Sequence, residues 1–194
     1  MAARATRQQI VDAADELFYG HGYAQTSFAD IAAAVNISRG NFYYHFKTKD
    51  EILDAVIEKR LEDREWLLAR WDETSDSPAA RIACFIRIVI VNQAKIMAYG
   101  CPVGTLTAEL AKLEHPSKNK ANAIMALFRD WLIRQFIDLG HEARAEDYAL
   151  HVLGWSQGVA TLAQAFKDEE YITREVEKIL GWLDGLVPGR AAKT

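Results

Sequence analysis

Cysteine is scarce in this chain, and its scarcity excludes two classes of stabilised domain. The 194 residues contain only Cys84 and Cys101. Two cysteines at this spacing form neither the disulfide framework of a small secreted domain nor a recognisable zinc pattern. We therefore expect no metal and no other cofactor. Half of the residues are apolar, so a hydrophobic core can hold the fold instead.

Long apolar runs are absent as well. No window reaches the roughly 18 consecutive apolar residues of a membrane-spanning helix, and the N-terminus has no apolar segment of the signal-peptide type. From the sequence we expect a cytoplasmic protein without membrane contact.

Strand-like alternation and internal repeats are also lacking, whereas helical spacing recurs along the whole chain. Ile10, Ala14, Leu17 and Phe18 share one face of a first helix, and an apolar stripe runs from Ile82 to Met97. "DETSDSP" is the clear polar linker, and Ser77 before Pro78 is typical of a helix start. The sequence predicts an all-α protein.

Net charge is small, and its distribution is more informative than its total. A value of −4 argues against a surface that is basic throughout, as in a protein that coats nucleic acid. Between residues 31 and 49, however, there are three basic residues (Arg39, Lys47 and Lys49) and no acidic one. Positive charge is therefore concentrated in one short segment.

That segment has the layout of a helix-turn-helix. Ser27 and Asp30 have the spacing of a capping box at the start of a second helix. Asn36 tolerates the left-handed conformation that a tight turn needs, and Ser38 is a good N-cap for a third helix that ends near Phe46. A short turn between two short helices is the arrangement found in helix-turn-helix DNA-binding motifs.

The third helix has an apolar anchor and a polar remainder. Phe42 and Phe46 lie one turn apart and can pack against the second helix, which leaves Arg39, Asn41, Tyr43 and Tyr44 on the remaining surface. The helix N-terminus at Ser38 suits a phosphate, and Lys47 and Lys49 can neutralise another. Arg39 can form a bidentate bond to guanine. An ordinary surface helix with exposed tyrosines would show the same pattern, so both interpretations stay open at this point.

Residues 22–53, "GYAQTSFADIAAAVNISRGNFYYHFKTKDEIL", resemble the DNA-binding domain of the TetR family of transcriptional regulators. The likeness lies in the following residues: Gly22, Thr26, Ser27, Ile31, Ala32, Ser38, Gly40, Tyr43, Tyr44, His45, Phe46, Lys49 and Leu53. Asn36 departs from the glycine that the family usually has in the turn. The resemblance implies a homodimer that binds a palindromic operator in double-stranded DNA.

The resemblance also implies roles for individual residues. Base contacts would come from Arg39, Asn41 and Tyr43. Phosphate contacts would come from Ser27, Ser38, Tyr44, His45, Lys47 and Lys49, although His45 can serve either purpose. The implied domains are residues 1–48, a three-helix DNA-binding domain, and residues 49–194, a helical ligand-binding and dimerisation domain. A helix over 49–71 would connect them.

Two helices in the second domain are candidates for the dimer interface. "LGWSQGVATLAQAF" places small residues among bulky ones, which favours close approach of another helix, and the last helix has apolar residues at helical spacing. By resemblance, such a pair from each subunit forms a four-helix interface. The predicted contacts are Gly154, Gly158, Leu162, Phe166, Val176, Ile179 and Leu183. Packing within the monomer is the alternative.

An effector site is implied between the helices of the second domain. Gln93 is polar on an apolar stripe, and Trp131, His151 and Trp155 are further candidates, although each can equally be structural. "YGCPVGTLTAEL" is similar to a Gly-Cys-Pro-x-Gly-Asn-Leu segment in one branch of the family, with Thr105 in place of asparagine. Its Cys101 precedes a helix start, which can favour a thiolate, or it is simply packed there. We expect an apolar or aromatic effector.

Three functions remain as hypotheses. The favoured one is a repressor that an effector, or modification of Cys101, releases from DNA. A DNA-binding protein without an effector, or an activator, is the second. An enzyme that uses Cys101 as nucleophile is the remote third, because neither His115 nor His151 has motif spacing to that cysteine.

Overall fold

The computed structural model describes residues 2–188, and for residues 2–4, Arg39 and Glu169 it describes the backbone alone. Within that range the chain is helical and contains no strand, which confirms the predicted all-α class. The helices are α1 (Ala2–His21), α2 (Phe28–Val35), α3 (Arg39–His45), α4 (Lys49–Thr74), α5 (Pro78–Val91), α6 (Gln93–Tyr99), α7 (Pro102–Lys112), α8 (Lys118–Asp138), α9 (Ala145–Phe166) and α10 (Glu169–Asp184). A 3₁₀ turn at Glu142–Arg144 precedes α9.

Several helix starts are set by the local residues that predict them. Ser27 and Asp30 form the complete capping box of α2. Ser77 accepts a hydrogen bond from the Ala80 N–H at 3.2 Å, and Pro78 follows as the first residue of α5. Thr48 accepts from the Glu51 N–H at 3.1 Å, while the Glu51 carboxylate accepts from the Lys47 N–H at 2.7 Å.

One expected helix is divided in two. The apolar stripe from Ile82 to Met97 predicts a single helix, but α5 ends at Val91 and α6 begins at Gln93. Asn92 lies between them with φ −102° and ψ 11°, and its side-chain amide donates to the Ile88 carbonyl at 2.9 Å. Asparagine competes with the helix for backbone partners in this way, and here it ends α5.

The chain forms two compact units, and the first comprises residues 1–64 and 102–124. Within it α1 packs against α2 and α7. Its core includes the buried side chains of Ile10, Phe18, Ile31, Phe42, Phe46, Leu53, Val56, Leu106 and Leu110. Arg60 is buried too, and its charge is satisfied by Asp15 of α1 at 2.7 Å and by the Pro102 carbonyl of α7 at 2.5 Å.

The second unit comprises residues 65–101 and 125–194. Its helix α10 packs against α5 and α9, and α6 packs against α9. Trp131 is fully buried and its indole N–H donates to both carboxylate oxygens of Asp72 at 3.1 Å. The predicted division at residues 48 and 49 differs from these units and stays a prediction. Helices α4 and α8 each contribute residues to both units.

Candidate nucleic-acid interface

The turn between α2 and α3 has the geometry that its residues predict. Asn36 is left-handed, with φ 50° and ψ 44°, and its N–H donates to the Ala33 carbonyl at 3.2 Å. Ser38 is extended and its hydroxyl oxygen accepts from the Asn41 N–H at 3.3 Å. The turn thus starts α3 immediately after α2, as a helix-turn-helix requires.

Helix α3 is anchored through one face. Phe42 is fully buried and Phe46 is 2% exposed. The ring of Phe28, the first residue of α2, contacts Phe42 edge to face at a centroid distance of 4.6 Å. Arg7 of α1 lies over the Phe46 ring, 4.8 Å from its centroid. These contacts leave the other face of α3 free to meet a partner.

Three of the side chains predicted to touch DNA are exposed on α3. Asn41 is exposed, Tyr43 is 44% exposed and Tyr44 is 72% exposed. Tyr43 is braced by Phe28, because their ring centroids are 5.1 Å apart and the planes differ by 32°. His45 is half-buried, with its ring 5.1 Å from that of Tyr44.

Arg39, the predicted guanine reader, is the first residue of α3. Its side chain lies outside the part that the structure describes, so its role stays a prediction that depends on sequence position.

The two serines differ in what surrounds them. Among the described contacts, the Ser38 hydroxyl takes part only in the capping bond described above, as acceptor, so its proton can be donated to a phosphate. Ser27 is the N-cap of α2, and its hydroxyl and its N–H both donate to the Asp30 carboxylate, at 2.7 and 2.8 Å. These bonds lower the pKa of Asp30. A phosphate at Ser27 would therefore approach an anionic neighbour, which makes Ser27 a weaker phosphate site than Ser38.

Both lysines after α3 have partners within the chain. Lys47 is exposed, and its ammonium donates to the Tyr43 carbonyl near the end of α3. Lys49 is half-buried. Its ammonium donates to the carbonyls of Tyr23 and Thr26, at 2.9 and 3.0 Å, and lies 4.1 Å from the centroid of the Tyr23 ring. A phosphate contact by Lys49 would have to use its third proton.

No sequence pattern identifies Tyr23 as important, although side chains from several parts of the first unit contact it. Its hydroxyl donates to the Asp50 carboxylate and lies 3.2 Å from Nε2 of His115. Burial, together with the hydrogen bond to Asp50, raises the pKa of Tyr23 far above its usual value. Its backbone N–H donates to Glu109 at 2.9 Å. His115 and Glu109 are 92 and 86 residues away along the chain, a separation at which local patterns carry no signal.

The five effector-pocket candidates have different surroundings. Trp131 is held by Asp72 in the core, and His151 is exposed with its ring 4.7 Å from that of Trp182. The indole N–H of Trp155 is buried and has no hydrogen-bond partner among the described residues. Gln93 begins α6, and Cys101 directly precedes Pro102 at the start of α7, as predicted. Both are half-buried.

A cavity of about 460 Å³ in the second unit does not involve these five residues. Its lining includes Ala80, Ala83 and Arg87 of α5 and Leu180 of α10. The structure therefore does not gather the predicted effector residues around this cavity.

The predicted interface residues divide into two groups. Gly154, Gly158, Leu162 and Phe166 lie four residues apart along α9, and all are exposed, Leu162 to 41% and Phe166 to 71%. Leu150 extends the row and is 48% exposed. We call these five residues the α9 stripe. The space beside Gly154 and Gly158 is open, since an added Cβ would meet nothing within 4 Å.

The other group lies on α10 and faces inward. Val176, Ile179 and Leu183 are at most 4% exposed, because the apolar face of α10 packs against α5 and α9 of the same chain. Helical spacing identifies them as an apolar face but does not show whether a partner chain or the core of the same chain covers that face. Any interface that leaves this core intact therefore excludes these three residues.

Within residues 2–188, the described side chains include no group of three or more His, Cys, Asp or Glu placed to bind a metal ion. In the same range no single helix is long and apolar enough to cross a membrane. Pro78–Val91 and Gln93–Lys112, which meet at a bend of 59°, pass that test only as a pair, by length and composition alone.

Comparison with known proteins finds a family match over part of the chain. Residues 10–56 match the family described as "Bacterial regulatory proteins, tetR family". An uncharacterized HTH-type transcriptional regulator in the lacX 3'region of Lactococcus lactis subsp. lactis is 34% identical over 113 residues, which are 57% of this chain and 58% of that protein. The HTH-type transcriptional regulator TtgR of Pseudomonas putida is 40% identical over 74 residues, 38% of this chain and 35% of TtgR.

The fold extends the likeness beyond the matched segment. The chain spans 58% of the first of these relatives and 35% of the second. A TetR transcriptional regulator from Legionella pneumophila superimposes on 92% of this chain and 95% of its own, with a TM-score of 0.79 and 23% identity. That identity shows a shared fold alone. Residues 10–56 thus match the bacterial TetR regulatory proteins, and over 92% of its length the chain shares the fold of a solved TetR regulator.

Proposed function

We propose that the protein is a dimeric repressor that binds a palindromic operator through α3 and is released by a small effector. The observation that carries the proposal is the asymmetry of α3. Its phenylalanines are buried, while Asn41, Tyr43 and Tyr44 are exposed on a chain whose residues 10–56 match a family of regulators. A short helix anchored in this way can enter the major groove with its polar face forward.

The proposed contacts fall into two classes. Arg39, Asn41 and Tyr43 would meet base edges, where arginine pairs with guanine and asparagine with adenine. The phosphate contacts would come from Ser27, Ser38, Tyr44, His45, Lys47 and Lys49. Phosphate contacts set orientation, and base contacts set sequence preference. The positions of Ser38, Tyr43 and Tyr44 on or beside the exposed face support this division.

A second copy of the chain is the proposed partner in dimerisation. One α3 reads one half-site, so a palindromic operator needs two copies at a fixed separation of about one helical turn of DNA. The α9 stripe supports the proposal, because large apolar side chains exposed in a row beside two glycines are typical of a contact surface. Gly154, Gly158, Leu162 and Phe166 would form the centre of that interface.

The proposed effector is a small apolar or aromatic molecule that binds the second unit. Trp155 supports a site there, since a buried indole N–H without a partner is costly and a ligand's acceptor atom would satisfy it. Gln93, Cys101, Trp131 and His151 remain the other proposed contacts, although the indole N–H of Trp131 is already engaged by Asp72. Release from DNA requires that the effector binds the released conformation more tightly than the bound one.

Modification of Cys101 is an alternative trigger of release. The cysteine precedes the first residue of α7, and the next carbonyl, that of Pro102, is held by the buried Arg60. A bulky group on the thiol would disturb the start of α7. The similarity of residues 99–110 to the Gly-Cys-Pro segment of one branch supports this proposal by resemblance only.

Two other functions have less support. A DNA-binding protein without an effector, or an activator, would use the same α3 face. Among the described residues, the buried indole of Trp155 is the observation that favours an effector. An enzyme with Cys101 as nucleophile would need a base. His115 is a poor candidate, because Nδ1 accepts from the Ser117 N–H at 3.1 Å and Nε2 faces Tyr23.

A gel-shift assay with the DNA upstream of the protein's own gene tests the proposal, followed by a screen of small aromatic and apolar compounds on the complex. We expect a discrete shifted band that excess non-specific DNA does not compete away, and its loss with at least one compound. Binding that non-specific DNA removes completely would contradict the assignment as an operator-binding regulator.

A further inference from the structure

The turn that joins α1 to α2, residues 22–26, is held by side chains from distant parts of the first unit. It leads directly into Ser27, the N-cap of α2, and α2 in turn carries Phe28, which packs against Phe42 and Tyr43 of α3. The conformation of this turn therefore fixes where α2 and α3 begin. Its contacts decide how rigidly the DNA-binding face is held.

Glu109 of α7 binds the turn through both carboxylate oxygens. Oε2 accepts from the Tyr23 N–H at 2.9 Å and Oε1 accepts from the Ala24 N–H at 2.8 Å. Gly22 precedes these amides with φ +89°, and a Cβ added there would lie 3.1 Å from Oε1 of Glu109. The left-handed glycine thus leaves room for the carboxylate, and charge-assisted bonds of this kind are stronger than neutral ones.

His115, between α7 and α8, holds the side chain of Tyr23. Because Nδ1 accepts from the Ser117 N–H at 3.1 Å, the neutral ring carries its proton on Nε2, which lies 3.2 Å from the Tyr23 hydroxyl. The hydroxyl in turn donates to Asp50 at the start of α4. The rings of His115 and Tyr23 also meet edge to face at 5.0 Å. Donor and acceptor roles run in one direction, from His115 through Tyr23 to Asp50.

The carbonyl side of the turn is held from α4. Lys49 donates to the carbonyls of Tyr23 and Thr26, as described above. Thr26 is 3% exposed, and its hydroxyl donates to the Gly22 carbonyl at 2.8 Å, which closes the turn on itself. The amides of Tyr23 and Ala24 therefore depend on Glu109, and the Tyr23 hydroxyl depends on His115 and Asp50.

From these contacts we infer that Glu109 and His115 are positioning residues for DNA binding. They touch no DNA themselves, but they fix the turn from which Ser27, α2 and the docked α3 extend. The inference rests on the proposed function, since it assigns a role in that same binding. It adds that residues 102–124, far along the chain from the helix-turn-helix, set the affinity of the DNA-binding face.

The test uses the full chain with Glu109→Gln, which puts an NH₂ group where one acceptor stood, and Glu109→Ala, which removes both acceptors. Glu62→Gln is the matched control, because Glu62 is an exposed residue of α4 and loses the same charge. The DNA is a duplex that the wild-type protein enriches from a random-sequence library. Hydrogen exchange of the Tyr23 and Ala24 amides is measured on the free protein.

We expect both Glu109 variants to exchange these two amides at least tenfold faster and to bind the duplex about tenfold more weakly. The dependence of affinity on salt should keep its slope, because no phosphate contact is lost. The control should match the wild type in all three measurements. Unchanged exchange, or unchanged affinity beside faster exchange, would overturn the inference.

His115→Phe gives an independent test, because phenylalanine keeps the edge-to-face packing on Tyr23 and loses both ring nitrogens. A merely structural role would lower the temperature of unfolding and leave the affinity of the folded protein intact. We expect affinity at least threefold lower when it is measured well below the unfolding transition. Wild-type affinity in that range would overturn the role of His115.

The outcomes separate this inference from the proposed function. If the library yields no enriched duplex, the operator-binding function fails and the inference fails with it. If the duplex is enriched and Glu109→Gln binds it as tightly as the wild type, the function stands and only the inference is overturned.

Discussion

At the scale of single residues, some contacts of the site follow short-range rules. Others join residues far apart in the chain, and no local rule predicts them. Asn36, Ser38 and the pair Ser27 and Asp30 are predictable, because each acts on a backbone group within three residues of itself. Glu109 is not predictable, because its partners lie 86 and 85 residues away. A glutamate on an amphipathic helix is ordinary in sequence, and only the fold shows what its carboxylate binds.

Under the proposed function, sequence preference depends most on Arg39. We expect Arg39→Ala to weaken operator binding by about 1–3 kcal/mol and to relax the preference at one base pair, since a bidentate contact to guanine would be lost. Competition binding with a set of single-base operator variants measures both effects. Arg134→Ala, an exposed arginine of α8 replaced in the same way, should behave as the wild type. An Arg39→Ala protein with full affinity and full preference would remove Arg39 as a reader.

Substitution of Lys49 distinguishes a phosphate contact by this side chain from a role within the chain alone. If its third proton meets a phosphate, Lys49→Ala should weaken binding to all sequences and reduce the salt slope by about one unit. Titration of the complex at several salt concentrations measures the slope, with Lys112→Ala, an exposed lysine of α7, as the control. A weaker complex with an unchanged slope would assign Lys49 to the α1–α2 turn alone.

Cys101 can be tested against the other cysteine. We expect an alkylating reagent to release the wild-type protein from DNA and to have no such effect on Cys101→Ser, because that variant lacks the reactive thiol. Cys84→Ser is the control. Cys84 lies in α5 with its sulfur 3.6 Å from the Ser75 hydroxyl, and this variant should still be released. Release of Cys101→Ser by the reagent, measured by gel shift, would end the proposal of a thiol switch.

At the scale of helices, apolar spacing predicts which face is buried but not what covers it. The face of α3 that carries Phe42 and Phe46 is buried as expected. On α10 the same kind of pattern predicts a partner, whereas Val176, Ile179 and Leu183 pack inside their own chain. Helical spacing also fails to predict the break at Asn92, because one polar residue in an apolar stripe is compatible with a continuous helix. Only the structure shows that the Asn92 side chain is bonded to the Ile88 carbonyl.

The α9 stripe gives a prediction at this scale. Leu162→Glu should raise the dissociation constant of the dimer at least tenfold, because a carboxylate would be desolvated in the interface. The fold should survive, since Leu162 is exposed in the single chain. Ile137→Glu, an apolar residue of α8 that is 42% exposed, is the matched control and should leave the dimer intact. Sedimentation of both variants measures the fraction of dimer. A Leu162→Glu protein that remains fully dimeric would exclude the α9 stripe as the dimer interface.

At the scale of the whole molecule, composition and periodicity predict the all-α class, and the helix-turn-helix residues predict the family. The matched segment covers residues 10–56, and the solved relative from Legionella pneumophila shares the fold over 92% of the chain. The proposed effector site has no comparable support from the sequence. Trp131 is bonded to Asp72 in the core, whereas the indole N–H of Trp155 has no hydrogen-bond partner in the described part of the chain. In the sequence, both are simply tryptophans at helical spacing.

Selection of DNA from a random-sequence library by the purified wild-type protein tests the central claim most directly. The claim is that two copies of the exposed face of α3 meet successive major grooves. We predict enrichment of an inverted repeat whose half-sites are centred about 34–36 Å apart, bound by two chains per duplex. Enrichment of a single, non-repeated site by one chain, or no enrichment at all, would contradict it.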